Sequence, residues 1–113
     1  MDYELYLERR EAIRQSLKDA VRANKDMMPF VRAYIAYDTV RCDWNARVNA
    51  ITSQRTQEKK VDAFLKDEHR YMTAWMRLMK EFHNLTGCYL LEDCDETAIC
   101  WAVNVEMSEY VGK

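Results

Sequence analysis

Between Met27 and Ile51 the chain keeps one beat. Met27, Phe30, Tyr34, Tyr37, Arg41, Trp44, Val48 and Ile51 are separated alternately by three and four positions, a spacing that holds them on a single helix face. Val31, Ile35 and Val40 widen that face enough to meet two neighbours. The stretch therefore reads as the central helix of a bundle. With only 2 Gly and 1 Pro in 113 residues, the chain has few places to turn, which favours long helices over a many-stranded sheet.

The flanking segments repeat the pattern. Tyr3, Tyr6, Arg10, Ile13, Leu17, Ala20 and Asn24 give helix 1 over about 3–24, with Asp2 as its N-cap. Asn24-Lys25-Asp26 breaks the rhythm. Helix 2 then occupies about 27–52, capped by Asp26 or Met28, with Pro29 in the first turn where a missing N–H costs little. A polar run from Thr52 to Lys60 leads to helix 3 over about 57–86. This helix carries Val61, Phe64, Glu68, Tyr71, Trp75, Leu78, Phe82 and Leu85 on one seam and Leu65, Met72, Met76 and Met79 beside it. Gly87 stands where a left-handed C-terminal cap belongs. A rod joining helices 2 and 3 is the competing reading, since no Gly or Pro separates them.

The tail from Cys88 to Val111 fits two periods. Ile99, Trp101, Val103 and Val105 alternate as in a half-buried strand, with Cys88–Leu91 as partner across Asp93-Cys94-Asp95. The same residues suit a fourth helix that starts at Asp95 and buries Ile99, Val103, Met107 and Tyr110. The fold expected is mainly α: one domain over 1–113, an up-down-up three-helix bundle with a short C-terminal β-hairpin, the fourth helix being the alternative.

The balance of 49% hydrophobic and 32% charged residues suits a soluble globular chain. A formal charge of −2 points neither to a polycation nor to a polyanion. The N-terminus has no apolar signal region and no run is long enough to span a bilayer, so a cytoplasmic, reducing setting is expected. Cys88, Cys94 and Cys100 are spaced six and six. That is no zinc pattern, although a hairpin about Cys94 would set Cys88 opposite Cys100; buried small thiols are the plainer reading. His69 and His83 stand two heptads apart, too far for a shared metal. Glu8 with Glu11, and Glu92 with Asp95, echo the carboxylate pairs of magnesium-dependent hydrolases, but they lie far apart in sequence. No motif calls for a cofactor or metal, and no enzyme is expected.

Three features remain as candidates. Arg10, Arg41 and Glu68 are the long charged residues within the three seams, and counting back from each turn puts them near one level as a polar layer. Arg10, Arg14, Lys18, Arg22 and Lys25 form a basic stripe suited to phosphates, though Glu4, Glu8, Glu11 and Asp19 adjoin it. Tyr71, Met72, Trp75, Met76 and Met79, with Trp101, combine side chains that either fill a core or dominate adaptable contacts. The function expected is therefore a protein–protein interaction module, an adaptor or an occluding inhibitor of a larger assembly, with self-association as a further possibility. A nucleic-acid regulator using the basic stripe ranks second and a metal-dependent enzyme third.

Overall fold

The computed structural model describes residues 3–53, 58–91 and 95–111, and every regular element among them is helical. In order these are α1 (Tyr3–Arg22), α2 (Met28–Ser53), α3 (Glu58–Thr86), α4 (Asp95–Glu106) and the single turn α5 (Ser108–Val111). They distribute over two compact units. One takes Met1–Val31 and Met79–Lys113, the other Arg32–Leu78.

In the first unit α1 begins with Glu4 and ends with Arg22, each placed to suit the helix dipole. Its end is a Schellman turn. Lys25 N–H donates to the Ala20 carbonyl and Asn24 N–H to that of Val21, while Asn24 takes a left-handed φ of 57°. The Asp26 carboxylate then accepts the Met28 N–H at 3.1 Å and opens α2. Gly87, at φ 77°, closes α3 through its N–H to the His83 carbonyl.

The core of this unit gathers Ile13, Leu17 and Ala20 from α1, Phe30 from the first turn of α2, Phe82 from the end of α3, and Leu90 from the loop after α3. Ala98, Ile99, Ala102 and Val103 from α4 complete it with Met107. Phe30 and Phe82 meet with ring centroids 6.0 Å apart. Arg9 meets Asp95, Arg10 meets Trp101 and Arg14 meets Glu106. These contacts advance together along both helices, so α1 and α4 run in the same direction.

The start of α4 is tied down by charge. Asp95 is wholly buried, and its two carboxylate oxygens accept from Arg9 Nε at 3.1 Å and Nη2 at 2.5 Å. The Leu91 N–H donates to the same carboxylate at 2.6 Å, and Arg9 Nη2 also donates to the Tyr89 carbonyl. One guanidinium thus holds both the helix start and the loop that leads to it.

The C-terminal β-hairpin does not form; residues 95–106 are the fourth helix. A lone two-stranded ribbon is marginal in water, whereas a helix places Ala98, Ile99, Ala102 and Val103 on one stripe, all of them buried. Met107 is buried as the helical reading requires, but Tyr110 is 42% exposed. The intended hairpin turn at 92–94 lies outside the described residues.

In the second unit α2 and α3 fold back on each other. The Tyr37 ring lies 5.3 Å from Trp75 and 5.7 Å from Tyr71, and Trp44 lies 5.2 Å from Tyr71. A continuous helix would hold positions 37 and 75 ~57 Å apart at 1.5 Å per residue, so the single rod is ruled out. Of the polar run expected to connect them, residues 54–57 lie outside the described residues.

Two substitutions test this account by urea denaturation followed by circular dichroism. Asp95→Ala removes the carboxylate that accepts from Arg9 and the Leu91 N–H, leaving the guanidinium its bond to the Tyr89 carbonyl. It should cost about 2–4 kcal/mol, the partial exposure of Arg9 keeping it below the full penalty of a buried orphan charge. An unchanged midpoint would show that the pair contributes nothing. Gly87→Ala meets no atom within 4 Å, so only the left-handed backbone resists it, at about 1–2 kcal/mol.

Candidate interaction surface

Neighbouring positions on a helix point about 100° apart, and α3 uses that step to separate core from surface. Trp75 is 1% exposed, whereas Met76 is 62% exposed. Met72, one turn earlier than Met76, is 40% exposed, and Met79 is half-buried. Tyr71 is half-buried as well, its hydroxyl 3.3 Å from that of Tyr37. The expected docking residues of α3 therefore divide. Trp75 and Tyr71 belong to an aromatic cluster with Tyr37 and Trp44, and this cluster fixes the rotation of α3. Met72 and Met76 are displayed to the outside. Flexible thioether chains on a rigid helix make a surface that can adapt to a partner without reordering its own backbone.

Trp101 lies in the first unit, half-buried on α4. The Arg10 guanidinium sits over its ring at 4.3 Å from the centroid, with Tyr6 at 5.6 Å from the same cation, and Arg14 stands 5.9 Å from Trp101. Such stacking is worth roughly 0.5–2 kcal/mol. It makes Trp101 part of the α1–α4 seam rather than an open docking residue.

That seam engages Arg10 and Arg14 of the basic stripe, and the end of α3 engages Lys25. Arg14 Nε donates to the Glu106 carboxylate at 2.5 Å, and this hydrogen bond raises the Arg14 pKa further from its already high ordinary value. Glu11 approaches the same guanidinium at 3.7 Å. Lys25 Nζ donates to the Leu85 carbonyl at 2.9 Å. Of the five residues expected to meet phosphates, Arg10, Arg14 and Lys25 hold the fold together, which leaves Lys18 and Arg22.

The charged layer takes another form. Glu68, the acid expected at its centre, is exposed on α3. Arg41 donates from Nη2 to Asp38 at 2.5 Å, one turn back on its own helix, and Arg10 rests on aromatic rings. The seam positions alone could not reveal these local partners.

Cys42 and Cys88 are exposed thiols; Cys88 lies beyond α3, where its sulfur is 3.5 Å from Ser16 Oγ. Cys100 is on α4, so no hairpin aligns it with Cys88, and Cys94 lies outside the described residues. His69 is exposed, and His83 stacks on Tyr89 with centroids 4.2 Å apart. Glu8 and Glu11 are exposed on α1. Asp95 is bound to Arg9, and Glu92 lies outside the described residues. Among the described residues no three His, Cys, Asp or Glu side chains gather as a metal would require, and no helix is long and apolar enough to cross a membrane.

The residue that sequence reasoning passed over is Arg9. Its signal was present: Arg9, Ile13, Leu17 and Ala20 step by fours and a three along α1, a closer match to the buried face than Tyr3, which is 70% exposed. An arginine on that stripe needs an acid, and Asp95 provides it. No protein-family model, curated protein or solved structure matches the chain.

The division of α3 is measurable by chemical denaturation. Trp75→Ala should cost about 3–5 kcal/mol, as for a large aromatic lost from a packed core. Met76→Gln should change stability by no more than about 0.5 kcal/mol. Equal losses at both positions would show that Met76 is packed and would remove it from the surface.

Proposed function

We propose that this chain is a small protein–protein interaction module, working as an adaptor or as an inhibitor that occludes a site on a larger assembly. Its contact surface is the Met72–Met76 face of α3. The observation that carries this reading is the exposure of those two methionines directly beside buried Trp75. Exposed apolar side chains backed by a fixed aromatic base are what a binding hot spot needs, because the partner gains burial while the module loses little freedom. The engagement of Arg10, Arg14 and Lys25 within the fold favours this reading over a nucleic-acid regulator, which would need those cations at phosphates.

The test compares wild-type chain with a Met72→Glu, Met76→Glu double variant as tagged bait in nuclease-treated lysate of the source cell. The expected result is one protein recovered in stoichiometric amount by the wild type and lost by the variant, with the variant's thermal midpoint unchanged. A partner held equally by both baits removes this surface from the proposal. A wild-type bait that recovers no protein at all removes the module itself.

A further inference from the structure

Within the second unit, α2 and α3 leave a groove of about 410 Å³ along one side. Its apolar lining is small: Ala36 and Val40 from α2, Thr73 and Ala74 from α3. The Thr73 hydroxyl is bonded to the His69 carbonyl at 2.9 Å, so its hydrogen is already committed to the helix. His69, Arg70 and Arg77 complete the lining. Small side chains between two helices let an incoming segment approach closely and bury apolar groups of its own.

Two of the acids on these helices face away from the groove. Asp38 lies about 200° around α2 from Ala36, at 100° per residue, and it pairs with Arg41. Glu68 lies likewise about 200° from Arg70 on α3. Asp43 follows Val40 by one turn, toward the end where Trp44 meets Tyr71. At the opposite end stand Arg77 and exposed Arg32, one turn before Ala36; Glu81 follows Arg77 by one turn and accepts from Asn84 at 3.4 Å. Neither Arg32 nor Arg77 forms an ion pair among the described residues. The groove thus has a small apolar floor at Ala36, Val40 and Ala74, with basic side chains in its lining and Arg32 and Arg77 at one end.

We infer that this groove receives an amphipathic helical segment of a protein partner, seated by small apolar side chains and carrying its acidic residues at the Arg32–Arg77 end. The inference rests on the interaction-module reading and adds a second contact, on the side of α3 that carries Thr73, Ala74 and Arg77 rather than Met72 and Met76. A peptide satisfies both halves of the groove, since its apolar face covers Ala36, Val40 and Ala74 while its carboxylates meet the guanidiniums in bidentate geometry. A phosphate backbone would satisfy the arginines and leave the apolar floor uncovered, which makes nucleic acid the lesser fit.

The full chain, isotopically labelled, is titrated with three probes. The first is a synthetic helical peptide with leucines at helical spacing and glutamates clustered at one end. The second is the same peptide with lysine for each glutamate, and the third is a short DNA duplex. The expected result is saturable binding of the acidic peptide, ~10-fold or more tighter than its lysine counterpart, with amide shifts centred on Val40, Thr73 and Ala74. An Arg32→Glu, Arg77→Glu variant, changed only at exposed positions and checked for unaltered circular dichroism, should reverse the preference between the two peptides. Equal affinity for both peptides, shifts elsewhere, or preference for the duplex would overturn the inference. A chain that captures its protein partner yet ignores the acidic peptide overturns the groove alone and leaves the module reading in place.

Discussion

The buried pair of Arg9 and Asp95 governs how the C-terminal third of the chain is used. A carboxylate with no solvent contact is tolerable only when its lone pairs are met, and three donors meet them: Arg9 Nε, Arg9 Nη2 and the Leu91 N–H. Each donor fixes something different. The guanidinium sets where α4 starts along α1, and the backbone N–H sets the path of the loop into that start. An apolar pair could match the packing energy, but it would not discriminate one register of α4 from another. With the start fixed, Arg10 reaches Trp101 and Arg14 reaches Glu106.

This arrangement changes what the basic side of α1 means. In sequence it is a stripe of cations beside an apolar seam, and phosphate binding follows naturally from that view. In the folded chain its upper part is an inward-facing seam, where the cations find a ring and a carboxylate on α4. Charge that is satisfied internally has less left to offer a polyanion, whatever the net charge. The cations at Arg32 and Arg77 differ in kind. They stand exposed at the end of an apolar groove, where a partner that supplies acids can still gain from them.

Periodicity made α2 and α3 readable because each buries one face, from Phe30 to Tyr37 and from Trp75 to Leu85. The left-handed cap at Gly87 was readable because few residues accept positive φ, whereas Asn24, read as the end of a seam, takes the same conformation. The tail was ambiguous for a physical reason. Ile99 and Val103 satisfy both a period of two and a step of four, and the deciding residues are Ala98 and Ala102, whose small side chains carry little hydropathy signal yet are fully buried. The charged partners were less legible still. Arg41 with Asp38 is a local i, i+3 contact, which the search for a layer across three seams does not look for, whereas Arg9 with Asp95 spans most of the chain and has no spacing to betray it. Among the candidate surface residues, the three-and-four spacing sets Tyr71 and Trp75 on the seam and Met72 and Met76 on a stripe beside it, but the spacing does not say whether that second stripe is covered.

That last separation follows from the cluster across the hairpin. Tyr37 is wholly buried and contacts both Tyr71 and Trp75, so α3 cannot roll without breaking two ring contacts at once. Rotation that brought Met76 inward would carry Trp75 out, exchanging a large buried aromatic for a flexible thioether. The aromatic cluster thus determines the surface indirectly: by claiming the inner face of α3 for Tyr71 and Trp75, it leaves Met72 and Met76 on the flank, about 60° and 100° round the helix from Trp75. The exposed methionines are a geometric consequence of how the second unit packs its rings, and this is why the same helix supplies both the rigid base and the adaptable face of the proposed contact.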